Sequence, residues 1–468
     1  MNIRQIKKVI KTLIILALLT TTAYAQRSIT LDEAIKIAIK NSYDLQLAKL
    51  DIQKAEATVD EVYGNALPSI DLTANFAHSI KKQVIPMTDF GAIMTNAAYG
   101  LLFKEKLIPE DDSKYVPVGT MMMSMAQDNT AQAQLQLTQI LFNSAVFTGI
   151  GAAKDYLDVS KAQYNQKVAD IELSVKNAFY GILYARELLS IINISYQNAQ
   201  DNLANVTAMN NQGLVSEFTL LDATVRVENI KPQIKQLENA VASATNGLKM
   251  LLAIPQTDNV VAQGAIEYVD EDISDVQRTI SQAKENNRNI KLLETATQIN
   301  KAQIDVAESG YYPSLVFFGN YAYTAMSNTF SDWTTFPTSQ VGLSLSMNLF
   351  KGNQTKYQAQ EARIDLLKTQ EQILQLKDAI DMQVRNNIDE LLRIKEDIAA
   401  QERNIGIAER AYALSVTHYK EGTGNQLEVA NSDLALSRAK TNKLESVYNY
   451  IINKAKLDNL LGITITND

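Results

Sequence analysis

Sliding the sequence along itself exposes a duplication, and a duplicated chain is constrained to build its fold from two copies of one unit. At an offset of 245, nine residues recur without a gap: Ala38/Ala283, Asn41/Asn286, Gln53/Gln298, Ala57/Ala302, Asp60/Asp305, Pro68/Pro313, Ser69/Ser314, Asn75/Asn320 and Ala77/Ala322. At 208, Leu135, Leu137, Leu141 and Phe142 fall on Leu343, Leu345, Leu349 and Phe350. At 209, Gly213 falls on Gly422, and Leu248, Leu251, Leu252 and Ile254 fall on Leu457, Leu460, Leu461 and Ile463. The change in offset leaves the first copy with 37 extra residues between Pro68 and Leu141. We divide the chain into a leader (1–25), a first repeat (26–268) and a second repeat (269–468).

Each copy reads helix, strand, strand, long helix, helix. Residues 31–62 have a helical pattern opened by Thr30, with Glu33 three positions on as in a capping box. The Asn41-Ser42 pair is a candidate break. Pro68, and Pro313 in the second copy, end the helical pattern and start an extended one. In Ile70-Asp71-Leu72-Thr73-Ala74-Asn75-Phe76 every second residue is apolar, and Ala131-Gln132-Ala133-Gln134-Leu135-Gln136-Leu137 repeats the rule. The second copy has Leu315, Phe317, Gly319, Tyr321 and Tyr323, then Val341, Leu343, Leu345 and Met347. A period of two gives one apolar and one polar face. The expected strands lie near 69–79, 130–142, 314–324 and 340–350, and about 11 tilted residues cross a hydrocarbon core. Tyr321, Tyr323, Phe330, Trp333 and Phe336 are candidates for an aromatic girdle.

After Phe142 the period becomes helical. Val168, Ile171, Val175, Phe179, Ile182, Leu189 and Ile192 form one seam; Ile380, Val384, Ile388, Leu391, Ile394 and Ile398 form another. The long helix from 143 to 206 covers about 64 residues, roughly 96 Å at ~1.5 Å each. Residues 351–420 match it, and helices over 216–252 and 426–461 close the two copies. The opening and closing helices together roughly equal the long one in length, so they can stack end to end beside it. The seams are packing and mark no site.

The first residues read as a secretory signal: Arg4, Lys7, Lys8 and Lys11, then an apolar core from Leu13 to Leu19, then Ala23-Tyr24-Ala25 as a cleavage site. Loss of those four cations takes the net charge from −8 to −12, which argues against nucleic acid as a partner. With no cysteine and only His78 and His418, thiolate and imidazole chemistry is excluded or nearly so. No catalytic residue, metal site or cofactor is expected. No apolar run after the leader reaches the ~20 residues of a membrane helix, so a membrane must be crossed with strands. Only 18 Gly and 8 Pro punctuate 468 residues, which implies few, long elements.

Four strands cannot stand alone in lipid, because a flat sheet has two edges of unpaired backbone groups. Closure must come from other copies, and three chains would supply 12 strands, enough for an open lumen. The hairpin loops then face outward and the helical ends point into the periplasm. The 37-residue surplus lies in the first outward loop, with Met121-Met122-Met123 and Lys104, Glu105 and Lys106. It is an outer cap, a partial plug or plain surface variation.

Ile29-Thr30-Leu31-Asp32-Glu33-Ala34, Ala66-Leu67-Pro68-Ser69, Gly310-Tyr311-Tyr312-Pro313-Ser314-Leu315 and Asn348-Leu349-Phe350-Lys351-Gly352 resemble segments of the TolC family of outer-membrane efflux and secretion channels. The likeness covers essentially the whole mature chain. It implies a mainly α fold with membrane β: a homotrimer whose 12-stranded barrel continues into a periplasmic tunnel of 12 helices. Leu141, Phe142, Leu349 and Phe350, with Pro68 and Pro313, then mark the passages between helix and barrel. Gly213-Leu214-Val215-Ser216 and Gly422-Thr423-Gly424 resemble the family's two hairpin tips (near 211–217 and 420–426), where a periplasmic membrane-fusion adaptor docks and connects to an inner-membrane pump. The resemblance also implies a periplasmic gate of acidic residues just past the second tip. Here those positions carry Glu428 and Asn431, so one acid is an amide, and the expected arginine is Gly424. Asp222, equivalent to Asn431 in the first repeat, is a candidate to restore the charge. The competing reading makes Glu428 and Asp222 solvated acids near helix N-termini, where acids are favoured. The implied function is an outer-membrane exit duct for tripartite efflux or type I secretion, embedded in outer-membrane lipid. A soluble periplasmic coiled-coil adaptor or scaffold would explain the leader and the seams but not four matched amphipathic strands.

Overall fold

The computed structural model describes residues 27–465 apart from 125 and 274. The expected leader, with its cleavage after Ala25, lies outside the described residues. In chain order the elements are β1 (Arg27–Ile29), α1 (Leu31–Asn41), α2 (Tyr43–Gly64), β2 (Ser69–His78), β3 (Ile85–Thr88), α3 (Phe90–Lys104), β4 (Thr120–Met123), β5 (Asn129–Asn143), α4 (Ser144–Asn211) and α5 (Glu217–Leu251). They continue with β6 (Val260–Ala262), α6 (Val276–Asn286), α7 (Arg288–Glu308), β7 (Ser314–Ser327), β8 (Thr334–Ser346), α8 (Gln354–Lys420) and α9 (Gln426–Leu460).

Contacts divide the chain into two compact units. Among the described residues, one unit comprises 27–59, 152–303 and 361–465 and is built of helices around two apolar clusters. The first cluster holds Ile35, Ala38, Leu45, Val175, Phe179, Ile182 and Leu248; the second holds Ile280, Ala283, Ile290, Val384, Ile388, Leu391 and Leu457. Member by member these are the same positions of the two repeats, displaced by 245 or 209. The seam of α8 from Ile380 to Ile398 is buried throughout. Thr30 caps α1 with the reciprocal bonds of a capping box, its hydroxyl accepting from the Glu33 amide and the Glu33 carboxylate accepting from its own. The helix expected over 31–62 breaks at Ser42, within the candidate pair Asn41-Ser42, and the second repeat breaks at Asn287. A parallel pair of β1 with β6 was not read from the sequence; it brings Ile29, Val260 and Ala262 into the first cluster.

The other unit comprises residues 60–151 and 304–360 and holds an antiparallel four-stranded sheet in the order β2-β5-β7-β8. Its middle pairing, β5 with β7, joins the two repeats. The surplus of the first repeat is not plain loop: β3 and β4 pair antiparallel, and α3 lies between them.

Candidate functional site

Register sorts the sheet into two chemical faces. The row Asp71, Gln136, Asn320 and Gln340 runs across all four strands, and Asn75, Gln132 and Thr324 form a parallel row across the first three. On the opposite face, flanking the first of these rows on either side, lie Ile70, Leu137, Gly319 and Val341, then Leu72, Leu135 and Tyr321. A strand slip of one residue would invert this sorting, so the alternation in the sequence fixes the register. Phe318 is an apolar residue on the polar face, and Gly342 opposite it leaves room for the ring: a Cβ there would approach the ring carbons to 2.8 Å.

Pro68 and Pro313 each stand one residue before a strand. The four exit residues diverge between repeats. Leu141 is the extra residue of a bulge between Ile140 and Phe142, and β5 passes into α4 without a linker. Such a bulge re-aims the chain. Leu349 and Phe350, their sequence equivalents, lie instead in the segment between β8 and α8, 89 % and 81 % exposed. Gly352 and Asn353 follow at φ of 58° and 64°, a left-handed pair that ends the extended run.

The two helical turns share one construction. At the first, Gly213 takes φ 71°, its amide donates to the Asn210 carbonyl at 2.8 Å, and the Leu214 amide donates to Met209 at 2.9 Å. At the second, Gly422 takes φ 73°, with Gly422 to Tyr419 at 3.2 Å and Thr423 to His418 at 2.9 Å. Both are Schellman closures, which need a left-handed residue. Ser216 and Asn425 then cap the next helices. Leu214, at 65 % exposure, and Val215 fill the span between glycine and cap. Gly424 packs tightly, its position lying against His418 and the Glu428 carboxylate. The Tyr419 hydroxyl reaches the Met209 sulfur at 3.5 Å, so the two turns lie side by side.

The three acid-gate positions do not form a cluster of free carboxylates. Glu428 is exposed, and its carboxylate accepts from the Asn425 amide side chain at 3.0 Å while Asn425 accepts from the Glu428 backbone amide. Asp222 pairs with Arg226 at 2.9 Å, and Asn431 is exposed. The sequence did not single out Asp433. One turn beyond Glu428, its two oxygens accept from Ser195 and Asn198 of α4, both at 2.7 Å. This carboxylate ties α9 to α4 beside a cavity of about 230 Å³ lined by Tyr412, Val429, Asn202 and Arg226. Burial, then the charges of Asp433 and Asp201, hold the Tyr412 hydroxyl above its ordinary value, so it stays protonated. No sequence signal marks Asp433, because its partners lie more than 230 residues away.

Among the described residues no helix is long and apolar enough to cross a membrane, and no cluster of His, Cys, Asp or Glu could hold a metal. A two-faced sheet with open edges and helical hairpins turned by glycine are features of a channel subunit. The outer membrane efflux protein family matches residues 34–253 and 279–463, and the chain belongs to that family. Outer membrane protein TolC of Salmonella enteritidis is 21 % identical over 345 residues, covering 71 % of this chain and 69 % of its own. Among solved structures, the CmeC outer membrane channel of Campylobacter jejuni superposes with a TM-score of 0.70 at 16 % identity, covering 92 % of this chain and 85 % of its own. The open state of the MtrE outer membrane channel of Neisseria gonorrhoeae gives 0.70 at 15 %, covering 92 % and 89 %. The fold is TolC-like, and the chain is an outer membrane protein that acts as an efflux exit duct.

Proposed function

We propose that the duct is a homotrimer in which β2 of one chain pairs with β8 of the next, closing 12 strands around water. The carrying observation is that these two strands are the edges of the sheet. An open edge in hydrocarbon costs several kcal/mol for each unpaired group, so neither edge can face lipid. Leu72, Val341 and Leu345 are 73 %, 76 % and 70 % exposed in the single chain, as lipid-facing residues of a wall would be. The Gln, Asn and Thr rows line the lumen in this reading. The repeat boundaries at 25 and 268 describe two tandem units of one wall.

The turns at Gly213-Leu214-Val215-Ser216 and Gly422-Thr423-Gly424 dock a periplasmic membrane-fusion adaptor, which couples the duct to an inner-membrane pump. Support comes from their exposure and from the rigid Schellman geometry that presents them side by side. Glu428, Asn431 and Asp222 follow those turns and set the charge near the periplasmic opening. Asp433, tied to α4, holds the hairpins together there. The duct itself conducts passively.

The chain has no cysteine, so introduced thiols report cleanly. With Thr73→Cys on β2 and single cysteines walked over 336–344 on β8, one register should convert the protein into covalent trimers. Heat-modifiable oligomers and conductance in a planar bilayer should accompany it. A chain that stays monomeric and water-soluble without detergent would overturn the reading.

A further inference from the structure

The sheet is almost free of charge. Across β2, β5, β7 and β8, Asp71 is the only Asp, Glu, Lys or Arg. Register puts it on the polar face, in the row it shares with Gln136, Asn320 and Gln340. The next position of that face on β2 is Thr73, opposite Gln134, and the one after is Asn75, opposite Gln132. Amides and hydroxyls therefore keep this face wet everywhere else. Asp71 is exposed, and its partner among the described residues is the Ser69 hydroxyl two positions away, donating at a long 3.5 Å. No basic side chain pairs with it among the described residues.

An ionised carboxylate on a membrane strand is costly unless it faces water, and one that stands there unpaired points to a role in what passes. In a closed trimer, symmetry alone sets the three copies of Asp71 at one height around the lumen. Twelve strands spaced ~4.8 Å apart and tilted about 40° give a wall radius of about 12 Å, which leaves the carboxylates roughly 9 Å from the axis. The screening length is ~30 Å at 0.01 M salt, ~10 Å at 0.1 M and ~3 Å at 1 M. The field of the ring therefore reaches the axis in dilute salt and dies short of it in concentrated salt. With the dielectric constant of water, three unit charges at that distance favour a monovalent cation over an anion on the axis roughly 30-fold at 0.01 M and about sevenfold at 0.1 M, and hardly at all at 1 M.

We infer that Asp71 sets the charge selectivity of the barrel: three carboxylates ring its lumen and admit cationic solutes in preference to anionic ones of the same size. The inference rests on the trimer proposed above, with the polar face turned to the lumen. It is separate from the acids that follow the helical turns. Glu428 and Asp222 belong to the helical unit and have partners of their own in Asn425 and Arg226. A carboxylate that served only to hold the fold would be tied to other elements, as Asp433 is; Asp71 touches none.

Reversal potentials across a planar bilayer test it, under a KCl gradient whose dilute side is about 0.01 M. Every variant carries Glu428→Gln as well, so that the acid beyond the second turn does not mask the barrel. Asp71→Asn should lower the ratio of K⁺ to Cl⁻ permeability at least about threefold, and Asp71→Lys should take it lower still. Gln136→Glu, which adds a charge to the same row, should raise it. All three differences should vanish as both sides approach ~1 M KCl. The β2–β8 cross-link, formed in parallel, shows that each variant is assembled. If that cross-link forms but the ratio in dilute salt is the same with Asp71→Asn and Gln136→Glu as without them, Asp71 does not set the selectivity and the trimer stands. If a change in ratio persists undiminished at ~1 M, the substitution acts through shape and the inference is equally wrong. If the cross-link fails in the parent protein, the trimer falls and the ring with it.

Discussion

Ser42 and Asn287 interrupt equivalent helices of the two repeats with nearly the same backbone angles, φ −50° and ψ 130° against φ −58° and ψ 128°. Each is buried and each sends its amide back to an alanine carbonyl, Ala38 at 2.7 Å and Ala283 at 2.9 Å. Asn287 does more than break the chain. Its oxygen accepts from the amides of Asn289 and Ile290, and its amide side chain donates to the Leu460 carbonyl at 3.1 Å. Asn287→Ala should therefore cost about 1–3 kcal/mol. Asn287→Asp, which keeps the capping oxygen, should lose less. Thermal melting of the detergent-solubilised protein ranks the two.

Ala253 and Gly462 end equivalent helices with Schellman turns at φ 49° and 70°. A Cβ on Gly462 would overlap the Asn286 carbonyl, whereas Ala253 accommodates one. Gly462→Ala should destabilise by at least about 1–2 kcal/mol. Ala253→Gly should stay within about 1 kcal/mol of neutral, since relieved strain offsets added freedom in the unfolded chain. Equal losses in denaturant midpoints would contradict this asymmetry.

Glu172 is 2 % exposed and accepts from Lys176 at 2.8 Å and from the Ile465 amide at 2.9 and 3.1 Å. Removing one member of a buried pair leaves the other charge uncompensated. Glu172→Ala should cost about 3 kcal/mol. Protease added under native conditions should then cut near residue 465 faster than in the parent protein.

Asp381 gives the stability a dependence on acid. A hydrogen bond from Lys284, then one from Arg385, hold its carboxyl below the ordinary 3.8. A lowered value means that the ionised form is favoured in the fold. The contribution is fully present above 3.8 and is lost as the pH falls through the lowered value. The melting temperatures of the parent and Asp381→Asn should thus differ by a constant amount from neutrality down to about that pH, then converge.

Asp433 supplies a functional test. Asp433→Ala removes the acceptor for Ser195 and Asn198 and should loosen α9 from α4 near the turns. Raised single-channel conductance relative to Glu428→Gln is the expected result. Unchanged conductance in Asp433→Ala would show that the bolt does not limit the opening.

Much of this architecture was legible because long elements repeat one rule many times. The α8 seam needed only a period of 3.6, and all six of its residues are buried. The Thr30 box was legible because two residues, Thr30 and Glu33, carry the whole signal. Short or non-local features were not. β1 and β6 have three residues each, too few to alternate, and they pair across more than 230 positions. Helix α3 hid because its two apolar sides cancel the one-sided pattern that marks a surface helix. The likeness of Leu141-Phe142 to Leu349-Phe350 concealed a local difference, because Leu141 is the extra residue of a bulge while Phe142 stays paired with Leu315, whereas the second pair lies beyond its strand and is followed by left-handed residues at 352 and 353. Asp433 needed its distant donors before it meant anything.

The pairing of β5 with β7 has a consequence in time. Asn143 meets Ser314, so the central ladder cannot start until 171 further residues have emerged. A chain delivered amino end first carries a half-finished ribbon with a bare inner edge through water while the rest is still being made. Such late-closing topologies are slow and prone to wrong partners. Safe arrival at the lipid therefore depends on holding that ribbon apart from its siblings until the second copy of the unit catches up.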